Sequence, residues 1–334
     1  MIRFKAGKTE AVRKSSLEDT PLGVDREALW KAFEPFALPE NAENAVVWRD
    51  GVKRQRKRIA KNLRRKYFGG KPKVAARTTQ VITDSYAAKW NEIGYANYDI
   101  AKKQGNYAPW LWGDRRFLAS TYGSARFRHL LLAAVIERLQ PKTVLEVGCG
   151  NGINLLLLAN RFPHISFAGV ELTDAGPGVF DALRSAGALP ANLVDYAPLP
   201  ARDPTAFQQV SIRQGTAERL EFADGSVDLV MSILALEQME RIRRTALQEM
   251  ARVCSRWTLM IEPFREVNGY LWPRFNILRQ DYFQGRVRDL PRFGLHPMIV
   301  TDDFPQEIHL RACMALCGKA GSDGALEPAA LAAE

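Results

Sequence analysis

The stretch VLEVGCGNG at residues 144–152 constrains the fold of this 334-residue chain more than any other segment. A short apolar strand, Thr143–Val147, leads directly into the alternating glycines Gly148, Gly150 and Gly152, and an apolar helical pattern follows. Glycine adopts positive φ angles and lets a backbone approach a ligand closely, and the first turn of a helix offers free N–H groups. Ligands of open α/β sheets bind beyond the carboxyl ends of the strands. We therefore expect a ligand site at this turn.

Strand patterns and helical patterns alternate from residue 123 onward. Strands are predicted at 143–147, 165–171, 209–213, 227–233 and 257–263, and helices at 125–139, 153–162 and 241–253. This alternation predicts a mostly parallel sheet with helices on both faces. Segments 297–300 and 307–317 are expected to form an antiparallel hairpin at one sheet edge. The sequence thus predicts a doubly wound α/β domain over residues 123–320.

Two acidic residues indicate what the turn would bind. The dinucleotide fingerprint is GxGxxG, which seats a pyrophosphate, whereas the spacing here is GxGxG, preceded by Glu146. A second acid, Glu171, ends the next strand, where a carboxylate can accept both hydroxyls of a ribose. A carboxylate at 146 disfavours a diphosphate and suits a ligand with a positive or zwitterionic end.

Three motifs, LEVGCGNG, GVE and DLVMSILALEQM, resemble the successive motifs of the S-adenosylmethionine-dependent methyltransferases with the Rossmann-like fold. The resemblance covers about 123–317 and is strongest to the broad branch acting on small molecules and lipids. It implies an enzyme of the class I type, with a seven-stranded sheet, an antiparallel last strand and S-adenosyl-L-methionine as cofactor. The residues that it assigns to the cofactor are Glu146, Gly148, Cys149, Gly150, Asn151, Gly152, Glu171, Leu172, Ala217, Glu218 and Ser232.

The resemblance also implies roles within that set. The glycine turn with Glu146 would lie under the methionine part, Glu171 would hold the ribose hydroxyls, and Leu172 would lie against the adenine. Ala217 or Glu218 would contact the adenine ring from the turn after the third strand. Ser232 would lie beside the methyl group, at the end of the fourth strand.

The candidate catalytic residues are Glu237 and His296. A base is needed only for acceptors that must lose a proton, such as hydroxyls. Many relatives carry a Glu-His pair where this chain has Glu237-Gln238, so a histidine base at that place is in doubt. His296, in a predicted loop, is the one histidine expected near a substrate, and a structural role remains open for both residues.

The N-terminal quarter carries the basic character of the chain. Residues 1–80 hold 20 Lys/Arg and 9 Asp/Glu, and no acid occurs within 53–73. The run has a helical pattern with Val52, Ile59, Leu63 and Tyr67 on one face. Three interpretations stay open: a solvated helix packed by this stripe, a helix on an anionic membrane surface, or a helix that follows the phosphates of RNA. We assign 1–80 as a basic extension.

Residues 81–122 are assigned as an aromatic-rich cap segment, which can wall a pocket or simply pack a subdomain. Residues 275–290 look like a solvated basic helix, although one or two arginines there could bind an anionic acceptor. Residues 321–334 are expected to be a disordered tail.

The acceptor class stays open between three hypotheses. The first is a small-molecule or lipid-like acceptor methylated on an O or N atom; the rivals are an RNA methyltransferase and a non-catalytic binding protein with the same fold. No Asn-Pro-Pro-Tyr stretch follows the fourth strand, which lowers the odds of methylation on exocyclic base nitrogens. No metal-ligand spacing occurs, so no metal is expected. Four cysteines without a CxxC pair, and no transmembrane or signal segment, predict a cytoplasmic protein.

Overall fold

The structure, a computed structural model, describes residues 14–69, 78–101 and 107–321. Its strands form two sheets. In chain order they are β1 (Tyr107–Trp112), β2 (Arg115–Ser120), β3 (Thr143–Val147), β4 (Ser166–Glu171), β5 (Ser211–Gln214), β6 (Val227–Ile233), β7 (Cys254–Glu262), β8 (Leu295–Thr301), β9 (Gln306–Glu307) and β10 (Cys313–Lys319). The expected disordered tail, residues 321–334, lies outside the described residues except for its first position.

The helices separate these strands along the chain. They are α1 (Arg26–Phe33), α2 (Ala42–Phe68), α3 (Thr79–Ile93), α4 (Gly123–Leu139), α5 (Ile153–Arg161), α6 (Ala175–Ala186), α7 (Ala191–Tyr196), α8 (Arg243–Val253) and α9 (Leu271–Gln280). Side chains cap the first three at their N-termini: Asp25, Asn41 and Thr78 each accept a hydrogen bond from a backbone N–H in the first turn.

The larger sheet has seven strands in the order β5-β4-β3-β6-β7-β10-β8. β3 to β7 pair in parallel, and β10 runs antiparallel between β7 and β8. Their side chains are buried along nearly the whole of β3, β6 and β7, as expected for strands covered on both faces. The predicted Rossmann-like, doubly wound sheet with an antiparallel last strand is confirmed.

The expected hairpin at the sheet edge differs in one respect. β8 and β10 do pair, but residues 306–307 leave this sheet and form β9, which pairs with β1. β1, β2 and β9 thereby make a second, three-stranded antiparallel sheet. This small sheet connects the aromatic segment to the last strands of the main sheet.

The described part of the N-terminal region is packed into the protein. Leu17, Leu29 and Phe33 are fully buried, and they belong to the same core as Trp110 and Phe127. The Phe33 ring contacts the rings of Trp110 and Phe127, with centroids 5.0 Å and 5.4 Å away. Residues 14–36 therefore contribute to the stability of the main domain, since large buried rings carry much of a core's energy.

The basic run forms the helix that its pattern predicts. Val52 and Ile59 of α2 are buried, whereas Tyr67, on the predicted apolar stripe, is exposed. The helix predicted over 275–290 is shorter: α9 ends at Gln280, because Asp281 adopts a left-handed φ of 56°. No helix among the described residues is long and apolar enough to cross a membrane.

Candidate functional site

A cavity of about 310 Å³ lies at the carboxyl ends of β3, β4 and β6. The glycine turn after β3 forms its floor, the ends of β4 and β6 form two walls, and α3 lies across it. This is the expected position for a ligand of an open α/β sheet. The sequence-predicted residues that line it are Glu146, Gly148, Cys149, Gly150, Asn151, Glu171, Leu172, Ala217, Glu218 and Glu237.

The turn itself requires glycine. Gly150 has a φ of 58°, and a Cβ there would lie 2.5 Å from Cζ2 of Trp90. Gly148 has a φ of 75°, and a Cβ there would overlap the Cβ of Ala235. Both the backbone conformation and the close approach of neighbouring side chains exclude a larger residue. Gly152 is the residue before α5, with a φ of 74°; it shapes the turn without lining the cavity.

Glu171 joins the end of β4 to this turn. Its Oε2 accepts a hydrogen bond from the Gly150 N–H at 3.0 Å, and its Oε1 accepts bonds from the N–H and hydroxyl of Thr173 at 3.2 Å and 3.0 Å. The side chain is buried yet lines the cavity. These donors fix the carboxylate at the cavity wall, where it can accept hydrogen bonds from a ligand's hydroxyls.

Glu146 is a buried carboxyl with unused hydrogen-bonding capacity. It is 1% exposed; its Oε1 accepts a bond from Asn154 Nδ2 at 2.7 Å, and its Oε2 has no hydrogen-bond partner among the described residues. Burial raises the pKa of Glu146 to about 8. A buried polar atom without a partner is costly, so this oxygen fits a ligand that brings a donor or positive charge.

Helix α3 and the segment after it close the cavity over the glycine turn. The Tyr95 hydroxyl donates to the Asn151 carbonyl oxygen at 2.5 Å, and Asn151 Nδ2 donates to the Gly94 carbonyl oxygen at 2.9 Å. The Trp90 ring lies against Gly150. Its buried Nε1–H has no hydrogen-bond partner among the described residues. The aromatic-rich segment therefore forms a wall of the pocket as well as packing.

A buried carboxylate organises the loop after β6. Glu262 Oε1 accepts hydrogen bonds from the Ser232 hydroxyl at 2.7 Å and from the N–H groups of Ala235 and Leu236 at 2.9 Å and 3.0 Å. Glu262 Oε2 accepts from the Glu237 N–H at 3.1 Å. Ser232 is fully buried and is not a lining residue, so its expected position beside the methyl group is corrected: the hydroxyl points to Glu262.

The two candidate catalytic residues lie in different parts of the structure. Glu237 lines the cavity, and its Oε1 accepts a 2.6 Å hydrogen bond from Gln238 Nε2. His296 lies in β8 and not in a loop; it is exposed, pairs with Gly318 and does not line the cavity. Because Gly318 in turn pairs with Trp257 near the start of β7, His296 lies toward the end of the sheet opposite the cavity. The proposal of His296 near a substrate is corrected on this ground.

The sequence did not predict several lining residues from α3, from the segment after it and from α4: Tyr86, Lys89, Trp90, Tyr98 and Arg128. The concentration of aromatic residues before residue 122 was the available signal for three of them. Arg128 gave no signal, because it occurs within an ordinary amphipathic helix. Among the described residues there is no group of three or more His, Cys, Asp or Glu side chains that could hold a metal ion.

Comparison with known proteins shows what the central part of the chain is similar to. Residues 145–257 match the model of a methyltransferase domain family. A tRNA (guanine-N(7)-)-methyltransferase of Leifsonia xyli subsp. xyli is 53% identical over 57 residues, a stretch that covers 17% of this chain and 25% of that relative.

Two solved structures are among those that match this chain. Magnesium protoporphyrin IX methyltransferase from Synechocystis, solved with bound SAM, matches with a TM-score of 0.47 and 11% identity, covering 75% of this chain and 100% of that one. Geranyl diphosphate C-methyltransferase from Streptomyces coelicolor matches with a TM-score of 0.43 and 14% identity, covering 60% of this chain and 85% of that one.

The site fits the cofactor of this family on its own geometry. The unused oxygen of Glu146 suits a zwitterionic or positively charged ligand, and Glu171 presents a carboxylate at the cavity wall. Residues 145–257 are thus similar to a methyltransferase domain, which is an enzyme domain, and the cavity beside them suits S-adenosylmethionine as the cofactor.

Proposed function

We propose that the protein transfers a methyl group to an oxygen or nitrogen atom of a small or amphiphilic acceptor. The observation that carries this proposal is the closure of the cavity by α3, with Trp90 against the glycine turn and the Tyr95–Asn151 hydrogen bond beside it. Cavities that enclose most of a ligand and have aromatic walls are typical of small-molecule sites. A polymer strand would need a more open face.

The chain's own residues would hold the cofactor in three places. Glu146 and the turn at Gly148 and Gly150 would receive its methionine part, and Glu171 would receive its ribose hydroxyls. Leu172, Ala217 and Glu218, which line the far wall, would contact the adenine. The remaining proposed residues, Cys149, Asn151, Gly152 and Ser232, would act by shaping the turn and the loop after β6.

The bound cofactor supplies a methyl group on a sulfonium, so the protein's task is positioning and electrostatics. Trp90 and Tyr98 would exclude water and align the acceptor, since orientation alone contributes several kcal/mol to such displacements, up to about 7–11 kcal/mol in ideal cases. The loop bonds to Glu262 would keep the Glu237 carboxyl at the cavity wall.

We propose that Glu237 is the base that removes a proton when the group to be methylated is a hydroxyl or an ammonium. Its side chain is largely buried, lines the cavity and is held by Gln238. A carboxylate acceptor would need no base, so the Glu237→Gln variant separates acceptor classes. We expect at least about a hundredfold loss of turnover for an acceptor that must lose a proton, with cofactor affinity unchanged.

The test uses cofactor labelled in its methyl group with extract separated into small-molecule, lipid and RNA fractions. Label in the small-molecule or lipid fraction, lost with Glu237→Gln, would support the proposal. Arg292→Gln, at an exposed position away from the cavity, is the matched control and should retain activity. Label confined to the RNA fraction would contradict the proposed acceptor class while leaving methyl transfer intact.

Exposed apolar side chains on α2 and α9 favour an amphiphilic acceptor or an anionic membrane surface. Phe68 at the end of α2 is 86% exposed, and Tyr270 and Leu271 at the start of α9 are 87% and 70% exposed. The Lys66 ammonium donates to Asp281 Oδ1 at 2.6 Å and so ties α2 to the end of α9. A cationic helix beside exposed aromatic side chains is typical of proteins that lie on anionic membranes.

An RNA acceptor is the second candidate, because of the short similarity to a tRNA methyltransferase and the basic face of α2. Deleting residues 1–80 would remove core residues such as Leu29 and Phe33 and unfold the domain. The better variant is Lys57→Gln with Lys61→Gln and Arg64→Gln, all at exposed positions. RNA affinity that falls steeply with salt, and falls further in this variant, would favour the RNA hypothesis.

A further inference from the structure

A second concave site lies outside the methyltransferase cavity, between α2, the β1–β2 hairpin and residues 308–311. It measures about 420 Å³. Five cationic side chains line it: Arg49, Lys53, Arg56, Arg116 and Arg311. No acidic residue is among the described residues that line it. We call this site the cationic groove.

The charges of this groove are poorly balanced within the described part of the chain. Of the five cations, Lys53 alone has an ion-pair partner among the described residues, the exposed Asp50 at 3.4 Å. The Nε of Arg311 is buried without a hydrogen-bond partner among those residues. Four of the five side chains are exposed and Arg311 is half-buried, so water screens part of their mutual repulsion. An anion from outside the chain would relieve the repulsion that remains.

The cationic side chains of the groove also affect a histidine next to it. His309 is buried, and neither of its ring nitrogens has a hydrogen-bond partner among the described residues. Burial, together with Arg56 and Arg311, lowers the pKa of His309 to about 4. The imidazole therefore stays neutral beside the guanidinium groups, and the positive charge of the groove comes from arginine and lysine alone.

The floor of the groove is apolar, and the one aromatic ring among its described lining residues, that of Trp48, already contacts neighbouring groups. Val52, Leu111 and Ile308 are lining residues with aliphatic side chains. The indole of Trp48 donates its Nε1–H to the Trp110 carbonyl oxygen at 2.8 Å, and the Arg116 guanidinium lies over the ring, 5.7 Å from its centroid. Proteins that bind single-stranded nucleic acid stack bases on aromatic faces, and Arg116 already lies over one face of this ring.

We propose that the cationic groove binds the phosphate group of a small or amphiphilic molecule. The arginines would hold the phosphate, and the apolar floor would accept an aliphatic part where the ligand carries one. Arginine suits this role because its planar guanidinium donates two parallel hydrogen bonds to phosphate oxygens. Phosphate binding here is independent of the proposed methyl acceptor, because the groove and the cofactor cavity share no lining residue.

The experiment is calorimetric titration of the full chain, without cofactor, at low ionic strength. The probes are inorganic phosphate, dihexanoylphosphatidic acid below its micelle concentration, and dihexanoylphosphatidylcholine. Binding of inorganic phosphate and of the phosphatidic acid with equal affinity identifies the source as a free phosphate group. Tighter binding of the phosphatidic acid identifies a lipid headgroup. Either result supports the groove, and the zwitterionic phosphatidylcholine should bind more weakly.

Matched variants separate a built site from general electrostatics. Arg49→Gln with Arg116→Gln removes two charges from the groove, and Lys57→Gln with Lys61→Gln removes two from exposed positions elsewhere on α2. We expect a loss of about tenfold or more in affinity for each guanidinium removed, and less than about twofold for the α2 pair. Arg49→Lys with Arg116→Lys retains the charges and should give an intermediate loss, since the paired donors are gone.

Three outcomes would overturn the proposal. They are failure of wild type to bind either anionic probe, equal losses in the two glutamine variants, and binding of transfer RNA with no binding of the small phosphates. Circular dichroism and thermal unfolding of each variant confirm that lost binding does not come from lost structure.

Discussion

Replacement of Glu171 by alanine tests the cofactor site most directly. The carboxylate accepts three hydrogen bonds, from the Gly150 N–H at 3.0 Å and from the N–H and hydroxyl of Thr173 at 3.2 Å and 3.0 Å. These donors consume only part of its capacity, because two ionised oxygens offer about four lone-pair sites. The capacity that remains faces the cavity, where the ribose hydroxyls are expected.

The magnitude follows from the bonds that are lost. Hydrogen bonds to a charged group contribute about 1.5–3 kcal/mol, so Glu171→Ala should weaken binding of the nucleoside by roughly tenfold to a hundredfold. The Gly150 N–H would also lose its partner. Because it borders a cavity that water can enter, we expect a loss of only about 1 kcal/mol in the free energy of unfolding.

The assay is calorimetry with S-adenosylhomocysteine, which measures affinity without turnover. Glu171→Gln, which keeps one acceptor oxygen, should fall between wild type and Glu171→Ala. Asp195→Asn removes one negative charge at an exposed position outside the cavity and serves as the control. Wild-type affinity in a folded Glu171→Ala variant would refute the reasoning: the carboxylate would then only brace the turn, and the nucleoside would lie elsewhere.

The same geometry makes three further predictions. Gly150→Ala forces a left-handed φ on a residue whose Cβ would contact Trp90, so it should lower the free energy of unfolding in urea by at least about 1–2 kcal/mol. Adding Trp90→Ala to the same chain should recover part of this loss. Fully additive losses from the two substitutions would contradict the contact. Glu146, with a pKa raised to about 8, holds a proton that the unfolded chain releases, so the free energy of unfolding should fall as pH rises from about 5 to 8. Glu146→Gln should make this dependence on pH less steep. An unchanged dependence on pH in the variant would contradict the raised pKa of Glu146. Glu262→Gln should lower turnover at least about tenfold with little change in cofactor affinity, because the loop carrying Glu237 loses one of the two acceptor oxygens that hold its N–H groups. Equal loss of turnover and affinity would place the loop in cofactor binding.

Local sequence information predicted the sheet and the glycine turn well. The bounds of β3 and β6 agree with their apolar runs, since strands covered on both faces appear as continuous hydrophobic segments. The need for glycine at 148 and 150 also followed from neighbouring residues, because a strand that turns sharply into a helix requires positive φ. These features depend on residues close together in the chain.

The sequence could not predict features formed by distant segments. The Tyr95–Asn151 hydrogen bond joins residues 56 positions apart, and the pairing of β1 with β9 joins Trp110 to Glu307. No periodicity encodes such contacts. The direction of the Ser232 hydroxyl depended in the same way on Glu262, thirty residues later, whose carboxylate competes for that hydroxyl. Likewise, His296 fell on an edge strand whose pairing with β10 no short motif reveals.

Three buried carboxyl groups at the carboxyl ends of strands differ in how many hydrogen bonds they accept. Glu262 on β7 accepts four hydrogen bonds and Glu171 on β4 accepts three, whereas Glu146 on β3 accepts one and leaves Oε2 without a partner among the described residues. The least satisfied group gains most from a ligand, so Glu146 should respond most strongly to a positively charged cofactor. Because its pKa of about 8 implies a protonated group at neutral pH, binding that favours the ionised form should release this proton. The rise in melting temperature caused by S-adenosylmethionine should therefore be larger at about pH 9 than at about pH 6 in wild type, and this difference should shrink in Glu146→Gln. An equal rise at both pH values in wild type would mean that Glu146 stays protonated in the complex and acts as a hydrogen-bond donor.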